Sequence, residues 1–237
     1  MLSRFWNAAL NRSFDDWAES YDRDVVPMLA RRGYGYTQLA EVIAERVRVQ
    51  PTSPTEPILC FELGVGTGML GLAIHGLLSE WQLYGLDISA EMLLRAKATS
   101  AYAQLFHGTA ECLPVGSGTV DVLVSAFMMH SVLKRQVALA EMLRVLRLGG
   151  KLALVDLYRT TRRWPGISGA VDNILSALHE RGAPSRYVSI EEMCGSLRQA
   201  GFSVSAWHLL DANENVAQKK TGKRMHGLIV ATKTAMT

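Results

Sequence analysis

A glycine-rich loop is the clearest candidate for a ligand site in this sequence. Residues 62–68 read Glu-Leu-Gly-Val-Gly-Thr-Gly, directly after an apolar run and before a helical pattern. Because glycine lacks a Cβ atom, such a loop can adopt positive φ and lie directly against a ligand. The free amides at the N-terminus of the following helix favour a carboxylate or a phosphate. In an open α/β sheet this turn lies at the carboxyl edge of the strands, where ligands bind.

An acidic residue ends the next predicted strand. Asp87 follows Gly68 by about 20 residues, the spacing at which an acid can bind both hydroxyls of a ribose. A dinucleotide-binding loop needs Gly or Ala at its sixth position, where this chain has Met69. The spacing therefore favours an adenosine-containing ligand over NAD or FAD, with an NAD-dependent oxidoreductase kept as an alternative.

Apolar runs alternate with helical patterns from residue 58 onward. The strand-like runs are 58–63, 83–86, 120–125 and 152–157, and the helical patterns begin at Gly68, Ala90 and Val137. This alternation predicts βαβ units and a parallel sheet, so the fold class is α/β. Ser189 and Glu192 then form a predicted capping box for a helix that ends at Gly201. The last runs, 202–209 and 227–232, predict an antiparallel hairpin.

The chain divides into a cap and a core on the basis of its helix-breaking residues. Residues 1–50 are predicted to form a helical N-terminal cap, with Ser13 as a candidate N-cap. Three prolines within residues 50–57 indicate a linker. Residues 51–237 are predicted to form the core, interrupted by a lid segment at about 158–190 that breaks the βα alternation.

The composition excludes several classes of protein. Of the 237 residues, 49% are hydrophobic and 20% charged, which is typical of a globular chain. No stretch reaches the roughly 18 apolar residues of a membrane helix, and the N-terminus lacks a secretory signal, so we expect a cytoplasmic protein with no membrane span. A net charge of +3 is too weak to indicate nucleic-acid binding. We therefore expect a small-molecule partner. The three cysteines have no metal-site spacing, so we expect no metal. The sequence leaves the oligomeric state open.

The motifs together resemble those of class I S-adenosylmethionine-dependent methyltransferases, especially the branch that contains the ubiquinone/menaquinone methyltransferases. The loop 62–68 is similar to the family's E/D-x-G-x-G-x-G loop, and Asp87 to its ribose-binding acid. Residues 108–114 resemble the family's G-D-A-E-x-L-P segment, with Thr109 in place of the aspartate. Residues 146–152 resemble its L-x-P-G-G-x-L turn, with leucine in place of proline.

The resemblance implies a Rossmann-like, doubly wound, mostly parallel seven-stranded sheet with a C-terminal antiparallel hairpin and a helical cap. It also implies S-adenosylmethionine as cofactor and S-adenosylhomocysteine as product. Residues 14–22 resemble the family's N-terminal helix, whose Tyr-Asp pair closes over the cofactor. The implied cofactor-binding residues are Tyr21, Glu62, Gly64, Gly66, Asp87, Ile88, Met92, Ala110, Glu111 and Ser125.

Methyl transfer needs little catalytic machinery, because a sulfonium methyl is already activated. Orientation alone can supply roughly 7 to 11 kcal/mol, and a positioned base adds about 10²- to 10⁴-fold. His130 is the candidate base, with a packed core histidine as the alternative. Candidates for the substrate pocket are Tyr34, Tyr36, Asp156 and Trp164, each of which also fits a role in capping or packing.

These observations predict an enzyme that transfers a methyl group to an O, N or C nucleophile of a small metabolite, in a biosynthetic tailoring pathway. Two further alternatives keep the cofactor. In the first, the cofactor assists a cyclisation or rearrangement without methyl transfer. In the second, the protein senses the cofactor or serves as a scaffold.

Overall fold

A single mixed sheet of seven strands organises the computed structural model, which describes residues 2–47, 49, 55–159, 185–210 and 225–235. The strands are β1 (Ile58–Leu63), β2 (Trp81–Asp87), β3 (Gln104–His107), β4 (Val120–Ala126), β5 (Leu146–Tyr158), β6 (Phe202–Leu209) and β7 (Met225–Lys233). Their order in the sheet is β3-β2-β1-β4-β5-β7-β6. Strands β1 to β5 pair in parallel, and β7 pairs antiparallel with both β5 and β6. The predicted α/β class and the C-terminal antiparallel hairpin are confirmed.

Helices cover both faces of the sheet. They are α1 (Leu2–Trp17), α2 (Tyr21–Ala30), α3 (Tyr36–Arg46), α4 (Met69–Leu77), α5 (Ala90–Ala98), α6 (Arg135–Val145) and α7 (Ile190–Ala200), with a short 3-10 turn at Met129–Ser131. The capping box of Ser189 and Glu192 opens α7 as predicted, and Gly201 ends it in the left-handed conformation. None of the helices in the described ranges is both long and apolar enough to cross a membrane.

Each face of the sheet has its own apolar core, because side chains alternate along buried strands. Phe61 and Leu154 pack on one face with Leu139 of α6 and Leu197 of α7. On the other face, the packed side chains are Cys60, Val124 and Val155 from the strands with Ile43 of α3 and Ile74 of α4. This arrangement buries the parallel strands on both sides. Because the strands run parallel, the loops that lead from each strand to the next helix lie together at the carboxyl edge.

Three local predictions differ from the structure. The N-cap at Ser13 is wrong, because Ser13 lies inside α1, which begins at Leu2. The fifth strand begins at Leu146 rather than at residue 152. The short β3 has no predicted counterpart among the apolar runs, because its residues are only half-buried or exposed and leave no apolar run. Much of the predicted lid, residues 160–184, lies outside the described residues.

The carboxyl edge of the sheet contains a topological switch point between β1 and β4. From β1 the chain proceeds outward to β2 and β3, whereas β4 leads to β5 on the opposite side. The loops that follow β1 and β4 therefore diverge and leave a crevice between them, which is where ligands bind in sheets of this kind.

Candidate active site

A partly open cleft of about 710 Å³ occupies this crevice. The loops after β1, β2 and β3 form one end of it, and residues 126–128, at the end of β4 and just after it, form the other. Helix α1 and Tyr21 cover it.

The loop after β1 borders the cleft with bare backbone. Gly64, Gly66 and Gly68 all have positive φ, at 71°, 53° and 83°. A Cβ atom on Gly64 would lie 2.7 Å from Cγ of Met128, so this close approach requires glycine. A Cβ atom on Gly66 would meet only Tyr21, at 4.0 Å, among the described residues. The backbone of Gly66 is therefore accessible to a ligand from within the cleft.

Asp87 ties the first loop to the second. Its Oδ2 accepts a hydrogen bond from the Gly66 amide at 2.8 Å, and its Oδ1 accepts one from the Ser89 amide at 2.9 Å. Burial raises the pKa of this carboxyl, and the amide hydrogen bonds act in the opposite direction. The carboxylate thus stands at the cleft wall, oriented by two fixed donors.

Glu62 lies behind the loop rather than in the cleft lining. Its Oε2 accepts a hydrogen bond from the Tyr102 hydroxyl at 2.8 Å. Burial raises the pKa of Glu62 to about 8, against the opposing effect of the Tyr102 hydrogen bond. Gly71 of α4 makes room for this pair, since a Cβ atom there would lie 2.9 Å from Oε2 of Glu62.

Helix α1 covers the cleft and is anchored to the loops around it. Leu10 and Phe14 line the cleft from this helix. The indole N–H of Trp6 donates to the carbonyl of Ser131 at 2.7 Å. At the other end, Oδ1 of Asp15 accepts a hydrogen bond from the Ser89 hydroxyl at 2.6 Å. These bonds connect the helix to both ends of the cleft.

His130 and Asp156 form a buried pair at the ends of β4 and β5. Nδ1 of His130 lies 2.5 Å from Oδ1 of Asp156, and Oδ2 of Asp156 accepts the His130 amide hydrogen at 2.9 Å. The exposed fractions of the two side chains are 6% and 1%. The imidazole stacks on the ring of Tyr187, with centroids 5.0 Å apart. When the Nδ1 proton faces the carboxylate, Nε2 is the unprotonated nitrogen of the neutral ring.

A second buried pair joins Tyr34 to His226 on the opposite face of the sheet. The Tyr34 hydroxyl is hydrogen-bonded to Nδ1 of His226. The His226 ring lies 5.3 Å from the ring of Phe127, which lines the cleft. Tyr36 begins the neighbouring α3, and burial raises the pKa of its phenol.

Comparison with known proteins places the chain in a family. A profile described as a methyltransferase domain matches residues 61–154. An uncharacterized methyltransferase of Synechocystis is 32% identical over 161 residues, which cover 66% of this chain and 71% of that protein. The ubiquinone/menaquinone biosynthesis C-methyltransferase of Syntrophotalea carbinolica is 31% identical over 166 residues, covering 60% and 67% respectively. The chain belongs to the class I S-adenosylmethionine-dependent methyltransferases.

A solved structure has a fold similar to that of this chain. The crystal structure of the [4+2]-cyclase SpnF superposes with a TM-score of 0.66 at 18% identity, covering 84% of this chain and 82% of that chain. At this identity the likeness shows the fold alone. The alternative of an NAD-dependent oxidoreductase is set aside by the family assignment.

The structure brings most of the sequence-predicted site residues of this methyltransferase to one cleft. The predicted residues that line it are Tyr21, Gly64, Gly66, Asp87, Ile88, Met92, Ala110 and Glu111. Glu62 and Ser125 are buried outside its lining, as are His130 and Asp156, although Ser131 next to His130 lines it. Tyr34 and Tyr36 also lie outside the lining, and Trp164 lies outside the described residues.

Sequence reasoning missed several residues of the site. Asn7, Leu10 and Phe14 are spaced three and four apart, which is the signature of one helical face, but the predicted helix, with its N-cap at Ser13, began too late to include Asn7 and Leu10. Thr109 lines the cleft itself, beside Ala110. His226 had no local signal, because only the antiparallel pairing of β7 brings its first residues to the carboxyl edge of β5. Within the described ranges, the structure has no group of three or more residues able to hold a metal ion.

Proposed function

We propose that this protein binds S-adenosylmethionine in the cleft and transfers the methyl group to a small, uncharged aromatic acceptor bound at the β4 end. The observation that carries the proposal is the Asp87 carboxylate, held at the cleft wall by the amides of Gly66 and Ser89. Asp87 and the glycine loop lie together at the switch point of the sheet, which is where open α/β sheets bind their ligands.

The cleft residues fit the parts of this cofactor. A carboxylate has about four lone-pair sites, so the two amide bonds of Asp87 leave acceptor capacity for ribose hydroxyls. The bare backbone at Gly64 and Gly66 suits the methionine part. Ile88 and Met92 supply apolar surface for the adenine. We assign Ala110 and Glu111 to the adenine edge, and Glu62 and Ser125 to support of the loop and strand from behind.

The chemistry requires little from the protein beyond orientation. S-adenosylmethionine supplies a methyl group on a positively charged sulfur, which needs no further activation. Holding the acceptor in line contributes roughly 7 to 11 kcal/mol to lowering the barrier. We assign His130 as the base: as the acceptor–methyl bond forms, the sulfur–methyl bond breaks to leave S-adenosylhomocysteine, and the acceptor's O–H, N–H or C–H proton moves to the His130 imidazole. Asp156 fixes the ring through Nδ1 and stabilises the imidazolium.

The acceptor class follows from the side chains at the β4 end of the cleft. Phe127, Met128 and Val132 line this end and are apolar, and Ser131 beside them is polar but uncharged. The charged side chains of the described lining, Asp87 and Glu111, belong to the loops after β2 and β3. A charged acceptor would lose its hydration here without a partner, which is costly. The Syntrophotalea relative is a ubiquinone/menaquinone biosynthesis C-methyltransferase by name, which agrees with a hydroquinone-like acceptor.

Methyl transfer to a panel of acceptors tests this proposal. Purified protein is incubated with S-adenosylmethionine labelled in the methyl group, together with naphthohydroquinone, phenol or phosphoethanolamine. We expect label in the naphthohydroquinone, with equimolar S-adenosylhomocysteine, and mass spectrometry then locates the methyl on carbon or oxygen. Label in phosphoethanolamine alone, or no label in any acceptor, would contradict the proposal. Conversion of an acceptor without S-adenosylhomocysteine would favour the cyclisation alternative.

A further inference from the structure

Phe127, the first residue after β4, has a backbone conformation that bulky residues avoid. Its φ is +55°, and in the described part of the chain Ser100 is the one other non-glycine residue with positive φ. Ser100 lies in an exposed turn, whereas Phe127 is half-buried at the cleft. Left-handed conformations of large side chains persist where the surrounding structure enforces them, and they concentrate at functional sites.

This conformation changes which side chains reach the cleft. In a regular strand, successive side chains point to opposite faces. Ala126, Phe127 and Met128 nevertheless all line the cleft, so the left-handed turn at Phe127 ends the alternation of β4 at that point. The amide of Phe127 donates to the carbonyl of Val155 at 2.9 Å, which fixes this turn to β5.

A buried hydrogen-bonded pair supports the Phe127 ring from behind. The His226 ring is inclined by 56° to it at 5.3 Å between centroids. The hydroxyl of Tyr34, from the segment between α2 and α3, is bonded to Nδ1 of His226 on β7. His226 is fully buried, and the two residues are 192 positions apart in sequence. Two segments that are distant in sequence, those of Tyr34 and His226, thus meet behind the Phe127 ring at the cleft wall.

We propose that Phe127 is a specificity-determining residue that stacks against an aromatic ring of the methyl acceptor, and that His226 and Tyr34 are positioning residues for it. The inference rests on the proposed function and narrows the acceptor class. Aromatic pairs gain attraction beyond the burial of their area, whereas a saturated ring of the same size gains burial alone. Phe127 therefore selects aromatic over saturated rings.

Two probes of matched size test this selection without any methyl transfer. Naphthol and its fully saturated analogue, decahydronaphthol, are titrated calorimetrically into protein saturated with S-adenosylhomocysteine. We expect the wild type to bind naphthol about 3- to 10-fold more tightly than decahydronaphthol. In Phe127→Leu this preference falls to within twofold, and Phe127→Tyr restores it. Phe5→Leu is the matched control, because Phe5 is an aromatic residue of α1 that is 68% exposed, and it keeps the wild-type preference.

Tyr34→Phe tests the positioning role with minimal change in bulk. Removing the hydroxyl removes one hydrogen bond that orients the His226 ring, so we expect the preference for naphthol to fall while the affinity for S-adenosylhomocysteine stays at the wild-type value. If Phe127→Leu fails to bind S-adenosylhomocysteine, the preference of Tyr34→Phe for naphthol tests the inference in its place. Equal binding of the two probes by the wild type, binding of neither, or an unchanged preference in these variants would overturn the inference. An intact preference without methylation of any acceptor would instead overturn the proposed function alone.

Discussion

The two ends of the cleft are built in different ways. At the β1–β2 end, the site consists of glycine backbone and one carboxylate that bonds to amides. At the β4–β5 end, two side-chain pairs lie behind the lining residues, His130 with Asp156 and Tyr34 with His226. The backbone-built end suits a ligand that never changes, whereas side-chain pairs can be replaced singly to suit another acceptor. We therefore assign the first end to the cofactor and the second to the acceptor.

The two pairs approach the acceptor end from opposite faces of the sheet. Asp156 alternates with Leu154 and Tyr158, which pack on the α6–α7 face. His226 is paired with Leu157 in the antiparallel register and alternates with Leu228, which packs on the α3–α4 face. The carboxyl end of β5 and the start of β7 therefore have an ionisable side chain on each face of the sheet, Asp156 on one and His226 on the other.

The largest expected effect is at the acceptor end, from loss of the base. His130→Gln keeps a polar side chain next to Asp156 but cannot take up the acceptor's proton. We expect kcat to fall about 10²- to 10⁴-fold, with cofactor affinity unchanged. Steady-state rates across a pH series, with calorimetry for the cofactor, provide the measurement. An unchanged kcat would show that His130 packs in the core and does not act as the base.

A second prediction concerns the buried carboxyl behind the cofactor end. The pKa of Glu62 is about 8 in the folded protein, against 4.5 in the unfolded chain. Between pH 4.5 and pH 8, Glu62 is therefore protonated in the folded state and ionised in the unfolded state. Stability should therefore fall as pH rises from about 4.5 to 8. Glu62→Gln removes this dependence and should be more stable than the wild type at pH 8, by a few kcal/mol.

Denaturant unfolding of both proteins across that pH range provides the measurement. Glu80→Gln, at an exposed position between α4 and β2, is the control and should follow the wild type. A stability difference between Glu62→Gln and the wild type that does not change with pH would show that Glu62 is ionised throughout.

The smallest expected effects come from two glycines of one helix, α4. A Cβ atom at Gly71 would displace the Tyr102 hydroxyl from Glu62, so Gly71→Ala should cost about 1–3 kcal/mol and weaken cofactor binding. A Cβ atom at Gly76 meets no described atom within 4 Å, so Gly76→Ala should stabilise the helix by about 0.5–1 kcal/mol. Thermal unfolding of the two variants measures both signs. Equal effects would mean that Tyr102 and Glu62 do not depend on the space at Gly71.

The same contrast explains what could be predicted from the sequence. The bounds of β1, the capping box of α7 and the convergence of Gly66 with Asp87 depend on nearby residues and on fixed spacing, and the structure agrees with each. The start of α1 escaped prediction because its apolar face is short and covers the cleft rather than a core. The short β3 escaped because its half-exposed residues carry no strand pattern.

The side-chain pairs show the limit of local patterns more clearly. His130 and Asp156 were each visible as strand-end residues, but their hydrogen bond depends on the parallel pairing of β4 with β5. His226 was visible only as a residue near the start of a predicted strand. Its contact with Tyr34 requires β7 to insert between β5 and β6, and spacing along the chain does not encode that pairing.

Calorimetric titration of S-adenosylmethionine into three proteins tests the division of the cleft most directly. The wild type should bind in the micromolar range. Asp87→Ala should lose about 100-fold or more, because it removes charge-assisted bonds to the ribose hydroxyls and frees both loops. Asp156→Asn, at the acceptor end, should stay within about twofold of the wild type. No binding by the wild type, or an equal loss in both variants, would contradict the assignment of the β1–β2 end to the cofactor.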